Sequence, residues 1–165
     1  MKYTVLFGSP HKRGATASLL AEYINEHDDI DSFEIIHAYD VTLKPCIGCG
    51  GCIKGKCVRD DSYVAEEIYK KISSADAFIL ASPVYFNSVP SPLKCIIDRM
   101  QPYYMKKYVL GDREELKKGG VLLLCGGEKE REGRKEMLKV QLKYAFDVFG
   151  YEISDYIYKT GLDVK

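Results

Sequence analysis

The sequence lacks an excess of charge of either sign and lacks a long apolar segment. Its 165 residues contain 24 Lys and Arg against 24 Asp and Glu, which gives a formal net charge of +0. A neutral chain has no basic footprint for nucleic acid, so we expect no nucleic-acid partner. Its apolar runs fall short of the roughly 18 residues of a membrane span, so we expect no membrane insertion. Lys2 leads at once into a short strand-like run, so we expect no secretory signal and a cytoplasmic location.

Repeats, low-complexity tracts and linkers are also missing, and the length predicts one domain over residues 1–165. No Gly-x-Gly-x-x-Gly follows the first apolar run, which argues against the two-halved dinucleotide-binding fold. No Gly-Lys-Ser or Gly-Lys-Thr closes the first glycine-containing loop, which excludes a Walker A site. A domain of this size needs no disulfides, yet the sequence has six cysteines, and four of them lie between Cys46 and Cys57.

Short apolar runs alternate with amphipathic helical patterns along the whole chain. The apolar runs predict strands at 3–7, 33–38, 77–81, 121–125 and 151–158. The helical patterns cover 16–27, 64–72, 93–100 and 138–149. This alternation predicts parallel strands with helices on both faces of the sheet. We therefore predict an α/β fold, a flavodoxin-like three-layer sandwich with a five-stranded parallel sheet of order 2-1-3-4-5.

Local signals mark several element boundaries. Asp60, Asp61 and Ser62 offer N-caps to the second helix. Pro92 suits the first turn of the third helix, and Gly150 is expected to end the fourth. The polar residues of the fifth strand predict that it lies at an edge of the sheet.

The loop after the first strand, residues 8–16, has the composition of a phosphate site. Its glycines let backbone amides approach an anion, and the helix that follows points its positive end at the same place. The alternative is a solvated turn with an ordinary helix cap. The polar side chains of this segment and the next turn are Ser9, His11, Lys12, Arg13, Thr16 and Ser18.

The loop after the third strand, residues 82–90, is aromatic and apolar. Tyr85 and Phe86 would wall a flat ring system, while Asn87 and backbone groups would bond its polar edge. The alternative is that both aromatic residues belong to the core. Ligands of parallel α/β sheets bind at the carboxyl ends of the strands, where the strand order switches. A phosphate cradle and an aromatic wall at that edge predict a mononucleotide site, and flavin mononucleotide (FMN) has the required shape.

The cysteine-rich loop, residues 44–59 after the second strand, has the spacing Cys-x-x-Cys-x-x-Cys-x-x-x-x-Cys. Closely spaced thiols separated by small residues favour an iron–sulfur cluster. Zinc is the second interpretation, and disulfides are the third. Positive residues flank this run and are expected to raise the potential of a bound cluster; they are Lys44, Lys54, Lys56 and Arg59. Cys95 and Cys125 are predicted to be packing residues.

Three segments of the chain, 8–16, 46–57 and 82–99, together resemble the NAD(P)H-dependent FMN reductase group of flavodoxin-like proteins. The compact cysteine run resembles the iron–sulfur flavoprotein branch of that group. The resemblance implies an FMN site made of Ser9, His11, Arg13, Thr16, Ser18, Ser82, Pro83, Val84, Tyr85, Phe86, Asn87, Gly126 and Gly127. It implies a [4Fe-4S] cluster on Cys46, Cys49, Cys52 and Cys57. The chain departs from the family where His11 and Ala15 replace the usual Arg and Asn.

The activity implied by the resemblance is electron transfer through FMN and the cluster. The donor would be NAD(P)H or ferredoxin, the acceptor is not named by the sequence, and the protein would form a homodimer or homotetramer. One alternative is an FMN or quinone reductase without a cluster, and another is a non-enzymatic redox carrier. A third alternative, a phosphatase, rests on Cys125 and Arg131, but Glu128 and Glu130 between them would repel phosphate.

Overall fold

The strands form where apolar residues run without interruption, and polar or glycine-containing turns separate them from the helices. The computed structural model describes residues 1–112 and 116–162. Its strands are β1 (Lys2–Phe7), β2 (Ser32–His37), β3 (Ala77–Pro83), β4 (Lys117–Cys125) and β5 (Tyr151–Lys159). Its α-helices are α1 (Ala15–Asn25), α2 (Ser62–Ser73), α3 (Ser91–Asp98), α4 (Gln101–Tyr104) and α5 (Arg134–Asp147). The remaining helical turns are two 3-10 turns, Ala38–Asp40 and Gly51–Lys54, and a π-helical turn, Met105–Val109.

The five strands pair in parallel in the order β2-β1-β3-β4-β5, which confirms the predicted fold. Val5 of β1 lies opposite Ile35 on one side and Ile79 on the other. The connection after β1 leads to β2 on one side of β1, and the connection after β2 leads to β3 on the other side of β1. The strand order therefore switches between β1 and β3. At such a switch the loops diverge and leave a crevice outside the carboxyl ends of the strands.

Both faces of the central strands are buried, which explains why these strands are continuously apolar. Leu6 and Leu80 face a core built with α2, α3 and α5, and both have no exposed surface. Val5 and Ile79 face a second core built with α1. The two cores make the sheet the middle layer of three. Among the described residues, no helix is both long and apolar enough to cross a membrane.

The element boundaries differ from the predicted ones by one to a few residues, mostly at helix ends. Pro92 lies in the first turn of α3, as predicted. Gly150 lies three residues beyond the end of α5 with φ of 76°, in the turn that leads into β5. Asp61 occupies the N-cap position of α2, but its side chain makes no capping hydrogen bond. Its carboxylate is instead engaged by Lys44 and Arg99.

Candidate cofactor sites

A cavity of about 650 Å³ opens at the carboxyl ends of β1, β3 and β4. Its volume lies within the usual range of small-molecule and cofactor sites. The structure gathers there most of the residues predicted to bind FMN. These are Ser9, His11, Thr16, Pro83, Val84, Tyr85, Phe86, Asn87, Gly126 and Gly127.

The phosphate-binding end of this cavity is formed by the loop after β1 and the start of α1. The N-cap of α1 is Gly14, which has no side chain to cover the amides of the first helical turn. The His11 amide donates to Ser9 Oγ at 3.1 Å, and the Gly14 amide donates to the His11 carbonyl at 3.2 Å. Ser9 and Thr16 are buried. The loop is thus held in shape around a helix N-terminus, which suits an anionic group.

Three of the predicted FMN residues do not line the cavity. Ser18 is exposed, and its hydroxyl donates to the Gly14 carbonyl at 3.4 Å. Ser82 is fully buried, and its hydroxyl donates to the Pro83 carbonyl at 2.8 Å. Arg13 is exposed on the solvent side of the loop. Helical periodicity at Ser18 and strand periodicity at Ser82 turn these two side chains away from the cavity that their neighbours line.

The aromatic wall is carried by a tight turn from Tyr85 to Ser88. The Tyr85 amide donates to the Ser88 carbonyl at 2.8 Å, and the Ser88 amide donates to the Tyr85 carbonyl at 2.9 Å. Phe86 and Asn87 have φ of 50° and 58°, the positive values of a type I′ turn. Asn tolerates this conformation, but Phe does not. The chain therefore stores backbone strain at the rim of the cavity, as functional loops often do.

Replacing Phe86 with Asn is expected to stabilise the cofactor-free protein by about 1 kcal/mol, because an ordinary L-residue at positive φ costs about 1–2 kcal/mol. The Phe86 side chain is fully exposed, so its loss removes no packing. The measurement is the free energy of unfolding in denaturant. Phe86→Leu keeps the strain and is expected to leave stability unchanged. An equal gain in both variants would contradict the strain argument.

Residues after β4 complete the cavity, and the sequence prediction missed most of them. Cys125 closes one side as a buried thiol; burial raises its pKa, and a hydrogen bond with Thr16 partly opposes that shift. Glu128 accepts from Arg134 at 3.1 Å and from Arg131 at 3.2 Å. These arginines lower the pKa of Glu128. The sequence signal that could have identified these residues is their position in the loop that follows Gly126 and Gly127.

A second cavity, of about 460 Å³, is lined by all four cysteines of the cysteine-rich loop. Cys46 and Cys49 are exposed, Cys52 and Cys57 are half-buried, and none forms a disulfide. Burial raises the pKa of Cys52. Positive φ angles occur at Gly48, Gly50 and Gly55, where only glycine is free of strain. Within the described ranges, no three His, Cys, Asp or Glu side chains are gathered as ligands of a single metal ion.

The side chains around the second cavity fit an anionic group with sulfur ligands. Thiolates are the ligands of iron–sulfur clusters, and four thiols surround the space. Arg99 also lines the cavity and is only 2% exposed. Its Nη2 donates to Cys57 Sγ at 3.5 Å, while its buried Nε has no hydrogen-bond partner among the described residues. An acceptor-rich group in the cavity would offer that nitrogen a partner.

Comparison with known proteins places the chain in a family. A model of the family described as NADPH-dependent FMN reductase matches residues 1–148. An iron–sulfur flavoprotein of Archaeoglobus fulgidus is 33% identical over 159 residues, which cover 93% of this chain and 68% of the relative. An iron–sulfur flavoprotein of Methanocaldococcus jannaschii is 42% identical over 106 residues, which cover 62% of this chain and 53% of the relative. The matches thus span about half to two thirds of these relatives' length.

The solved structures show the same fold at low sequence identity. The NAD(P)H:quinone oxidoreductase of Methanothermobacter marburgensis matches with a TM-score of 0.73 and 19% identity, covering 98% of this chain and 84% of that one. An azoreductase of Bacillus anthracis matches with a TM-score of 0.68 and 16% identity, covering 99% of this chain and 88% of that one. Together with the family match over residues 1–148, they lead to one conclusion. The chain belongs to the NADPH-dependent FMN reductase family of flavodoxin-like oxidoreductases, and to the part of it whose members are named iron–sulfur flavoproteins.

Proposed function

We propose that this protein is an FMN-dependent oxidoreductase that also carries a [4Fe-4S] cluster. It passes electrons between a reduced donor, NAD(P)H or ferredoxin, and an acceptor. When bound, FMN can accept one hydride, which carries two electrons, and release the electrons singly, while the cluster carries one electron at a time. The single observation that carries the proposal is the placement of four thiols around one cavity, in a chain that also has a flavin-sized cavity at the carboxyl ends of β1, β3 and β4.

The residues of the first cavity divide into two roles. The loop after β1 and the first turn of α1 would hold the FMN phosphate, through backbone amides and the hydroxyls of Ser9 and Thr16. Tyr85 and the turn that carries Phe86 would flank the ring system. A Cβ on Gly126 would lie 2.7 Å from Tyr158 Oη, so the absence of a side chain there lets the turn after β4 pack closely against β5.

The residues of the second cavity would hold the cluster. Cys46, Cys49, Cys52 and Cys57 are the ligands in this proposal, and the loop glycines allow the chain to wrap around them. Lys12 Nζ lies 2.6 Å from Asp40 Oδ2, so this ion pair links the loop after β1 to the 3-10 turn that precedes the cysteine-rich loop. We also propose that the protein works as a homodimer or homotetramer.

The test is anaerobic purification followed by metal analysis, flavin analysis and a visible spectrum. We expect one FMN and about four irons per chain, together with oxidation of NAD(P)H or of reduced ferredoxin. FMN without iron or zinc would favour a cluster-free FMN or quinone reductase. Both cofactors without turnover of any donor would favour a redox carrier. Absence of both FMN and iron would refute the proposal.

A further inference from the structure

Arg99 carries a positive charge that is almost completely removed from solvent. It follows the last residue of α3 and is 2% exposed. Burying a charge is costly unless it is paired and hydrogen-bonded, and a neutral residue would avoid that cost. The surroundings of Arg99 therefore indicate what the buried charge does.

One side of the Arg99 guanidinium binds the N-terminal end of the cysteine-rich loop. Its Nη1 donates to the Lys44 carbonyl at 2.8 Å and to Asp61 Oδ1 at 2.9 Å. Asp61 Oδ2 in turn accepts from the Lys44 amide at 2.8 Å. Both backbone polar groups of Lys44, two residues before Cys46, are thus fixed by the Arg99–Asp61 pair. Although burial alone would raise the pKa of Asp61, these contacts lower it.

The other side of the Arg99 guanidinium contacts the C-terminal end of the same loop, and Arg99 also lines the cavity. Nη2 donates to Cys57 Sγ at 3.5 Å, and Nε is buried without a hydrogen-bond partner in the part of the chain that the structure describes. One guanidinium therefore contacts both ends of the loop, at Lys44 and at Cys57. Hydrogen bonds to the sulfurs and nearby charge are two of the means by which a protein sets the reduction potential of an iron–sulfur site.

The other positive charges near the loop are less favourably placed. Lys44, Lys54 and Lys56 are exposed, so water and salt screen their charges. Arg59 also lines the cavity, and its Nε lies 3.7 Å from Asp61 Oδ1 without a hydrogen bond among the described residues. Its side chain is 19% exposed, against 1% for that of Arg99. Sequence reasoning assigned the electrostatic effect to these flanking residues, but the structure places the most buried charge on Arg99.

We propose that Arg99 is a positioning residue that raises the reduction potential of the cysteine site. It contacts the Cys57 sulfur and places beside the cavity a positive charge that is buried from solvent and only partly neutralised by Asp61. Reduction adds one electron from the donor and makes the bound group one unit more negative, so this charge stabilises the reduced form. The inference rests on the proposed function, because there is a potential to set only where a cluster is bound.

The test compares three variants by a spectroscopic redox titration of the anaerobically purified protein, with iron counted in each. Arg99→Gln removes the buried charge, and Asp61→Asn removes the negative partner of that charge. Lys56→Gln is the matched control, because it removes one exposed positive charge next to Cys57. At the wild-type midpoint, Arg99→Gln is expected to lower the ratio of reduced to oxidised cluster about tenfold or more, which is about 59 mV for one electron.

The expected direction for Asp61→Asn is opposite, because the same Arg99 charge is then less neutralised. A merely structural role of the pair would disturb both variants alike and would not shift the potential in opposite directions. Lys56→Gln is expected to shift it less than Arg99→Gln. If the Arg99→Gln protein lacks iron, its cluster potential cannot be measured, and the Asp61→Asn variant then provides the test. A raised potential in Asp61→Asn supports the inference, and an unchanged or lowered potential overturns it. Four irons in the wild type with equal potentials in all variants would refute the role of Arg99 while leaving the proposed function standing.

Discussion

Replacing Cys46 with alanine is expected to remove essentially all iron from the anaerobically purified protein and to leave its FMN in place. A [4Fe-4S] cluster needs four thiolates, and the chain offers no fifth thiol among the residues that line the cysteine cavity. The linings of the two cavities share no residue, so the flavin site has no direct contact with the change. The measurement is iron and flavin per chain, with the visible spectrum as a second readout.

Cys95→Ala is the matched control for this prediction. Cys95 lies on α3, is half-buried, and donates through Sγ to the Leu43 carbonyl at 3.3 Å, near the start of the cysteine-rich loop. Its thiol does not line the cavity. The control is expected to keep its iron and to lose about 1 kcal/mol of stability with the hydrogen bond. Retention of iron in Cys46→Ala, or equal loss in Cys95→Ala, would refute the assigned ligand set.

The fold was predictable because each strand carries its own signal. Val5, Leu6 and Ile79 belong to runs that are apolar on both faces, and a strand can bury both faces only in the middle of a layered sheet. Right-handed crossovers then leave few strand orders. Helix ends were less predictable. Asp61 is a residue type that commonly caps helices, but its carboxylate accepts a hydrogen bond from Arg99, which is 38 residues away in the sequence. A contact of that kind depends on tertiary packing and leaves no local pattern.

The candidate site was predictable at the level of loops and less so at the level of side chains. Ser9, Thr16 and Ser18 look equivalent in the sequence, yet Thr16 is buried at the cavity and Ser18 is exposed. The difference depends on the residue at which α1 begins, and a shift of one or two residues rotates every side chain by a large angle. Cys125 was assigned to packing, and it does pack, but it also lines the flavin-sized cavity.

Replacing Ala15 with Glu is expected to weaken FMN binding at least about 100-fold without unfolding the protein. Ala15 is exposed, lines the first cavity and is the first residue of α1. A carboxylate there would repel the phosphate by about 3 kcal/mol for unit charges about 5 Å apart at an effective dielectric constant of about 20. The same carboxylate interacts favourably with the N-terminus of the helix, so stability should stay equal or rise by about 0.3–1 kcal/mol.

Ala21→Glu separates the local effect from the change in net charge. Ala21 is exposed near the middle of the same helix and does not line the cavity. Both variants have the same net charge and the same new residue, so only the distance to the phosphate differs. FMN affinity, measured by titration of the deflavinated protein, should fall in Ala15→Glu and stay near the wild-type value in Ala21→Glu. Added salt should restore part of the loss, because it screens an exposed carboxylate. Equal affinities in the two variants would mean that the phosphate does not bind at the start of α1, and would leave the cysteine site unaffected.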